Sequence, residues 1–411
     1  MGLIVQKFGG TSVGDIERIN NVAGRVIEEA GNGNQVVVVV SAMGKTTDKL
    51  VEMAREISSS NPSKREMDML LTTGEQVTIG LLTMALIQKG HEAVSLTGWQ
   101  AGIKTEALHG NARIMDIKTS RIKELLDNGK IVVVAGFQGM TEDQEITTLG
   151  RGGSDTTAVA LAAALKADRC DIYTDVTGVF TTDPRYIKGA RKLQSVSYDE
   201  MLELANLGAG VLHPRAVEFA KNYQIPLEVR SSLEKESGTL IEEEASMEQN
   251  LIVRGIAFED GITRVTIFGL PSTRGTLSGI FTELAKNHIN VDIIIQSITD
   301  EQTANLSFSI KSEALEETLR VLEKSKCMAA FDRVETESNL AKVSIVGSGM
   351  VSNPGVAAEM FEVLADSGVQ IKMVSTSEIK VSTVIEAQYM VGAVEALHVA
   401  FKLDERSAVK A

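Results

Sequence analysis

The chain is short of several residue types that often announce a function. Among 411 residues there are two cysteines, Cys170 and Cys327, six prolines and one tryptophan, and aromatic residues make up 4%. Two thiols so far apart in so long a chain exclude a disulfide framework and a thiolate zinc site. The scarcity of aromatics excludes a base-stacking platform. Positive charge is also in deficit, with 41 Lys plus Arg against 55 Asp plus Glu and a formal net charge of −14. That argues against bulk nucleic-acid binding, which needs a basic footprint, but leaves room for a locally positive site. Long hydrophobic runs are missing too: Val36–Val40 is strand-sized and far below a membrane span. MGLIVQKFGG has no basic region before an apolar core, and Gln6 stands where myristoylation needs Ser or Thr. These absences predict a cytoplasmic protein with no membrane and no nucleic-acid partner.

What is present is glycine, 35 residues of it, in a chain of ordinary apolar content at 43%. Many glycines predict tight turns and close backbone approaches of the kind that surround phosphate. At roughly 150 residues per domain, the length predicts two or three domains. Residues 1–230 alternate short apolar runs with helical patterns. Strands are expected at Leu3–Phe8, Gln35–Ser41, Ala93–Thr97, Ile131–Phe137 and Asp171–Thr174, and helices from Asp15, Glu75 and Thr156. The helix after Asp15 sets Ile16, Ile19, Val22, Val26 and Ile27 on one face. The pattern is α/β: an open, mostly parallel sheet sandwiched by helices, with ligands beyond the carboxyl ends of its strands.

From Ser232 the chain turns acidic, with few apolar anchors, and residues 232–250 read as a linker. Beyond it the sequence repeats. RVTIFGL at Arg264–Leu270 matches KVSIVGS at Lys342–Ser348. Gly275, Phe281, Leu284, Val291 and Ser297 find Gly355, Phe361, Leu364, Ile371 and Ser377, each 80 residues later. Each copy reads as strand, glycine loop, helix, two strands and helix, with helices expected at Leu277–Lys286 and Ala357–Asp366. This is the ferredoxin-like βαββαβ pattern, duplicated, which predicts paired units and a ligand pocket between copies. The expected division is 1–231, the linker 232–250, a first unit 251–340 whose leading strand is free to join the second, and a second unit 341–411.

Four loops carry chemistry. KFGGTSVGD at Lys7–Asp15 joins a strand to a helix; Gly9 and Gly10 let backbone N–H groups approach an anion, the helix adds its positive end, and Lys7 and Ser12 can reach phosphate oxygens. SAMGKTTD at Ser41–Asp48 ends like a Walker A loop, but Val39 stands where its first glycine must be, which excludes a P-loop NTPase. TLGRGGSD at Thr148–Asp155 sets Arg151 among glycines, open to a small carboxylate or phosphate, with Asp155 opening and capping the next helix. YTDVTGVFTTDPR at Tyr173–Arg185 puts Asp175 at a strand end and Asp183 and Arg185 in a proline turn. Glu75 begins a helix, where dipole compensation is the ordinary reading. GSGMVS at Gly347–Ser352 approaches a dinucleotide fingerprint, but Ser352 replaces its last glycine, and the repeat assigns it to the loop matching GLPSTRG at Gly269–Gly275. His213, alone in VLHPR, reads as structural.

Taken in order, KFGGTSV, VVVVVSAMGKTTD, GEQ, LGRGGSDTTA, YTDVTGVFTTDPR and SYDEM with LGAGVLHPRA resemble the aspartokinases over essentially the whole chain. The likeness is greatest to the monofunctional, lysine-sensitive kind of Bacillus type, whose tandem ACT domains the repeat resembles. The resemblance implies an amino-acid-kinase fold using ATP and Mg²⁺ to phosphorylate the β-carboxylate of L-aspartate. The product, 4-phospho-L-aspartate, leads to lysine through diaminopimelate, and to threonine and methionine. By motif match, Lys7, Phe8, Gly9, Gly10 and Ser12 would contact phosphates, and Thr174, Asp175, Phe180, Asp183 and Arg185 would line the nucleotide site. Ser41, Thr47, Glu75 and Arg151 would hold aspartate, Glu75 by its ammonium and Arg151 by its α-carboxylate, with Gly152, Gly153 and Ser154 completing the loop. Lys7, Asp155 and Asp175 would be the catalytic set, Lys7 countering charge on the transferred group and the carboxylates organising Lys7 and the metal. No residue is assigned as a dedicated metal ligand, and an ionised acceptor needs no general base.

The resemblance also implies an effector site drawn from Ser272, Gly275, Asp292, Gln296, Ser348, Asn353, Val356, Ile371, Thr376, Ser377 and Glu378. Ser272, Thr273 and Arg274 stand where some relatives have Asp-Lys-Pro, so lysine alone is the implied effector. Assembly would be a homodimer through the ACT domains, or a heterotetramer with a short subunit starting at Met247. Two departures bear on nucleotide contacts: Gly210 replaces a lysine and Phe180 a tyrosine found in many relatives. Two alternatives remain. Another carboxylate or carbamate kinase, such as an acetylglutamate kinase, generally lacks the tandem repeat. A non-catalytic amino-acid-binding regulator would need loss of Lys7, Arg151 or Asp175, and all are present.

Overall fold

Leu3–Phe8 runs through the middle of an eight-stranded sheet, parallel to Gln35–Val40 on one side and Arg169–Thr174 on the other. These strands hold apolar residues on both faces because helices cover both. The order across the sheet is Ser195–Ser197, Thr239–Glu242, Leu227–Ser231, Arg169–Thr174, Leu3–Phe8, Gln35–Val40, Ile131–Ala135 and Ala93–Leu96, with one antiparallel pair, Leu227–Ser231 with Thr239–Glu242. The computed structural model describes residues 2–58, 62–208, 210–243, 252–299, 302–325 and 330–404. Cys327 and the proposed start at Met247 lie outside the described residues.

The helix Ile16–Gly31 starts where Asp15 accepts the Arg18 N–H at 2.8 Å, and it buries Ile19, Val22, Ala23 and Val26. Ile16, expected on that face, is 57% exposed, because it sits in the first turn, just past the cap. Thr73–Gln88 delivers Ile79, Leu82 and Leu86 to the same core as Val36, Val38 and Val133. By length and composition alone the stretch Lys64–Gln88 is apolar enough to cross a membrane, but its second helix is a core helix of this sheet. The helix Gly153–Leu165 is buried along most of its length, its alanines allowing close approach to the strands.

The acidic stretch is not linker throughout. Thr239–Glu242 is a strand of the sheet, with Thr239 and Ile241 buried and Leu240 facing out. Thr239 Oγ1 donates to the Leu193 carbonyl at 2.6 Å and accepts the Val179 N–H at 2.9 Å. This period-two signal is only four residues long and lies among glutamates, which hides it in the sequence.

The described residues form two compact units, and Thr181–Arg191 packs as part of the C-terminal one. There the Thr181 carbonyl accepts the Ile256 N–H at 2.7 Å, its hydroxyl lies 2.9 Å from His398 Nε2, and Ile187 joins a core with Val343 and Leu397. The C-terminal unit is one antiparallel six-stranded sheet in the order Ile294–Ile298, Thr303–Lys311, Gly255–Pro271, Arg333–Val346, Lys380–Glu386, Met373–Thr376. The first strand is shared. Gly255–Glu259 pairs with Lys342–Val346 of the second copy, while Arg264–Ile267 pairs with Leu306–Ser309 of its own. The helices Thr276–Lys286 and Val356–Asp366 each start from a left-handed glycine, Gly275 at φ 96° and Gly355 at φ 107°. The matching glycines of the repeat therefore do matching work.

Replacing Thr239 by Val should destabilise the sheet by about 1–3 kcal/mol, since a buried N–H and a buried carbonyl each lose their partner. Urea unfolding of the full chain followed by fluorescence and circular dichroism measures it.

Candidate active site

Lys7 lies opposite Val39 on one neighbouring strand and Ile172 on the other, so three strands end side by side. The loops leaving this edge are stitched together by backbone bonds: Gly9 N–H to Tyr173 O at 3.2 Å, Ser41 N–H to Phe8 O at 3.1 Å and Gly44 N–H to Gly10 O at 3.0 Å. A Cβ on Gly10 would stand 2.9 Å from the Ala42 carbonyl oxygen, so glycine is required for this approach. Ser12, in the turn Gly10–Val13, has a buried hydroxyl with no hydrogen-bond partner among the described residues. An orphaned donor beside a glycine turn, just ahead of a helix, suits a phosphate oxygen.

Lys7 Nζ and Asp155 Oδ1 form an ion pair at 2.5 Å, with side chains 11% and 13% exposed. Asp155 stands in the first turn of Gly153–Leu165, but it does not cap that helix as expected; Gly152, left-handed at φ 68°, occupies the cap position. The carboxylate turns to Lys7 instead, which offers it an opposite charge rather than a neutral N–H. The helix start is pressed against the loop after Ile131–Ala135: a Cβ on Gly136 would meet Ser154 Oγ at 2.7 Å, and one on Gly153 would meet the Phe137 ring at 2.8 Å. Phe137 itself is left-handed at φ 70°. Arg151 is exposed and has no ion-pair partner among the described residues.

Glu75 is 3% exposed, and the dipole-compensation reading does not account for that. Its Oε1 accepts the Ala42 N–H at 3.1 Å, while Oε2 is buried with no partner among the described residues. Burial pushes this carboxyl up to about 7. Gly74 allows it, since a Cβ there would meet the Ala42 Cβ at 2.8 Å. An ammonium group placed on Oε2 would satisfy the orphan and restore the charge. Ser41 and Thr47, half-buried, belong to the same loop and the helix Thr46–Ile57 that follows it.

The nucleotide candidates divide. Asp175 is exposed beyond its strand end and accepts the Thr174 hydroxyl at 3.0 Å, and Phe180 makes a single antiparallel bridge with Lys192. Asp183 and Arg185 fall in the C-terminal unit and bond to one another, Arg185 Nη2 to Asp183 Oδ2 at 2.6 Å, which holds the Asp183 carboxyl below its usual range. Gly210 has φ 67°, a left-handed conformation in which a lysine would be strained. Among the described residues no three His, Cys, Asp or Glu converge on a common point. The described residues therefore offer a divalent cation no cage of their own.

Sequence reasoning set His213 aside as structural and gave Arg215 no role. The His213 ring lies on Gly152, and Arg215 bonds the carbonyl of Leu149 at 2.6 Å. The only signal was an Arg following His-Pro at a helix start.

In the C-terminal unit a cleft of about 320 Å³ is lined by Pro271, Ser272, Gly275, Thr276, Gln296 and Ile298 among others. Three effector candidates, Ser272, Gly275 and Gln296, meet there. Asp292 does not line it; its carboxylate is bound to the buried Lys342 at 2.5 Å. In the second copy, Ser348 and Asn353 sit at the turn Ser348–Ser352, while Thr376, Ser377 and Glu378 are exposed at the end of Met373–Thr376. Val356 and Ile371 pack into the second core.

Residues 2–231 match the Amino acid kinase family, and residues 264–326 and 343–401 each match the ACT domain. The chain is 74% identical to an aspartokinase of Bacillus sp. (strain MGA3), over 100% of this chain and 99% of that one. It is 28% identical to E. coli aspartokinase III solved with aspartate and ADP in the R-state, covering 97% of this chain and 99% of that one with a TM-score of 0.82. The same E. coli enzyme with lysine and aspartate in the T-state matches with a TM-score of 0.76, at 28% identity over 97% and 99% of the two chains.

The buried carboxyl of Glu75 makes a signed prediction. With a folded pKa of about 7 against 4.5 for the free group, the folded chain binds more protons than the unfolded one between those values. Its contribution to stability is full below about pH 4.5 and is lost as pH rises through 7. Glu75→Gln should remove that slope and unfold at higher urea than the parent at pH 8, as measured by urea midpoints from pH 5 to 8.

Proposed function

The chain belongs to the aspartokinases, and from that premise we infer how its residues divide the work. It is a phosphotransferase that moves the γ-phosphoryl group of ATP to the β-carboxylate of L-aspartate, at the head of lysine biosynthesis, with ACT domains for regulation. One observation carries the assignment of roles. A buried lysine, an orphaned serine hydroxyl and an orphaned glutamate oxygen occur at one edge of a single, mostly parallel sheet.

Phosphoryl transfer asks the protein for position and counter-charge rather than for covalent chemistry. Lys7, paired with and aimed by Asp155, counters the charge that develops on the transferred group. Gly10 and Ser12 hold phosphate oxygens through an N–H and an O–H donor, with the Gly9 N–H spent on the Tyr173 carbonyl that sets the turn. Glu75 Oε2 takes the acceptor's ammonium, and Arg151 takes its α-carboxylate, leaving the β-carboxylate turned toward the phosphate. Because the acceptor is already ionised, no side chain need abstract a proton. Mg²⁺ would supply further neutralisation of the phosphates, with Asp175 and Asp155 the carboxylates that would organise it and Lys7.

The cleft at Ser272, Gly275 and Gln296 supports an amino-acid effector, and lysine is the one we assign, as in the T-state E. coli enzyme. Inhibition then requires that lysine favour one arrangement of the chain over another. A homodimer through the ACT domains is supported by the edge strand Ile294–Ile298, whose Ile294, Ile295 and Ile298 are exposed, Ile298 by 74%. An edge of unpaired backbone and exposed isoleucine invites a second strand.

Hydroxamate formation with ATP and aspartate tests the reaction. Lys7→Ala should lower kcat roughly 10²–10³-fold, and Arg151→Ala should raise the aspartate KM roughly ten- to hundredfold. Undiminished turnover by Lys7→Ala would reject the assignment. Lysine should inhibit and threonine alone should not, with Gln296→Ala moving the inhibition curve to higher lysine.

A further inference from the structure

We infer that His213 and Arg215 are positioning residues that hold the glycine-flanked Arg151 in its binding geometry. The inference rests on the reading that Arg151 takes the acceptor's α-carboxylate.

Arg151 lies between Gly150 at φ 75° and Gly152 at φ 68°. Two left-handed glycines give the loop its shape but no stiffness, since glycine has the widest backbone freedom. The stiffness comes from outside. The Arg215 guanidinium donates through Nη1 to the Leu149 carbonyl at 2.6 Å and to Asn111 Oδ1 at 3.2 Å, and through Nη2 to the Ala112 carbonyl at 3.1 Å. All three acceptors are neutral, two of them backbone carbonyls and one the Asn111 side chain, so a half-buried cation is committed to holding these segments rather than to pairing charge. Leu149 is fully buried and donates its own N–H to the Phe137 carbonyl at 2.9 Å. The Ala112 N–H in turn bonds the Thr148 carbonyl at 2.9 Å, so the two segments under Arg215 are also tied to each other. Gly150 is pinched against the same group, a Cβ there falling 2.6 Å from Asn111 Oδ1.

The other side of Arg151 is closed by His213. A Cβ on Gly152 would lie 2.2 Å from His213 Cγ and 2.5 Å from Cδ2, so the imidazole rests directly on that glycine. Nδ1 accepts the Arg215 backbone N–H at 3.3 Å, which sets the orientation of the ring. Pro214, the first residue of the helix Pro214–Tyr223, fixes the backbone between the two. One tripeptide at a helix start thus clamps both flanks of Arg151, on Leu149 and on Gly152.

The test uses the full-length enzyme with Arg215→Ala, Arg215→Lys, His213→Ala, Arg151→Ala and the double variant Arg151→Ala with Arg215→Ala. Arg215→Ala should raise the aspartate KM roughly tenfold while the ATP KM stays within about twofold. In the Arg151→Ala background the same change should add less than about twofold, because both act through one contact. Arg215→Lys, which keeps a donor, should fall between, and it carries the test if the alanine variant does not fold. His213→Ala should shift the aspartate KM in the same direction. Equal effects in both backgrounds, parallel rises in both KM values, or a wild-type aspartate KM in Arg215→Ala and Arg215→Lys would overturn the inference alone. An unchanged aspartate KM in Arg151→Ala would overturn the role of Arg151 and this inference with it.

Discussion

The ion pair between Lys7 and Asp155, 2.5 Å apart and nearly withdrawn from water, is the constraint around which the active edge is built. One partner ends a central strand and the other begins the most buried helix. Neither charge is tolerable alone in that place: breaking a buried pair costs about 3–5 kcal/mol. The strand end, the helix start and the glycine turns must therefore keep a single relation. The same relation holds a lysine beside the Gly9–Gly10 turn.

Around the pair, the chain gives up stability for readiness. The Glu75 carboxyl is buried with one oxygen unmet, and the Ser12 hydroxyl is likewise orphaned. Such unmet groups are destabilising, and an ammonium and a phosphate are the partners that would suit them. The glycines serve close approach at Gly10, Gly136 and Gly153 rather than mobility. Where glycines do free the backbone, on either side of Arg151, bonds from a separate helix supply the rigidity.

The C-terminal unit follows a different logic, that of duplication. A sequence repeated at an interval of 80 residues yields two helices launched from equivalent left-handed glycines and two separate apolar cores. The copies share one sheet because Gly255–Pro271 is long enough to serve both. Asp292 is drawn to Lys342 and Glu259 is held there too, so two carboxylates beside the shared strand pair with one buried lysine.

Much of this was legible in the chain itself. The valine run, the Lys-Gly-Gly turn, the glycine-flanked Arg151 and the repeat are local patterns, and local patterns follow from periodicity and backbone freedom. What escaped was non-local. Thr239–Glu242 joins the sheet because partners from distant segments await it, Thr181–Arg191 leaves its sequence neighbours for the C-terminal unit, and Arg215 finds its acceptors more than a hundred positions back at Asn111 and Ala112. The sequence by itself determined the element types, the order of the motifs and the chemistry they carry. The tertiary structure alone decided which carboxylate faces Lys7, which one is buried without a partner and what stiffens the Arg151 loop. Those outcomes depend on packing between segments far apart in the chain, where burial and opposite charge are set by neighbours that no local pattern names.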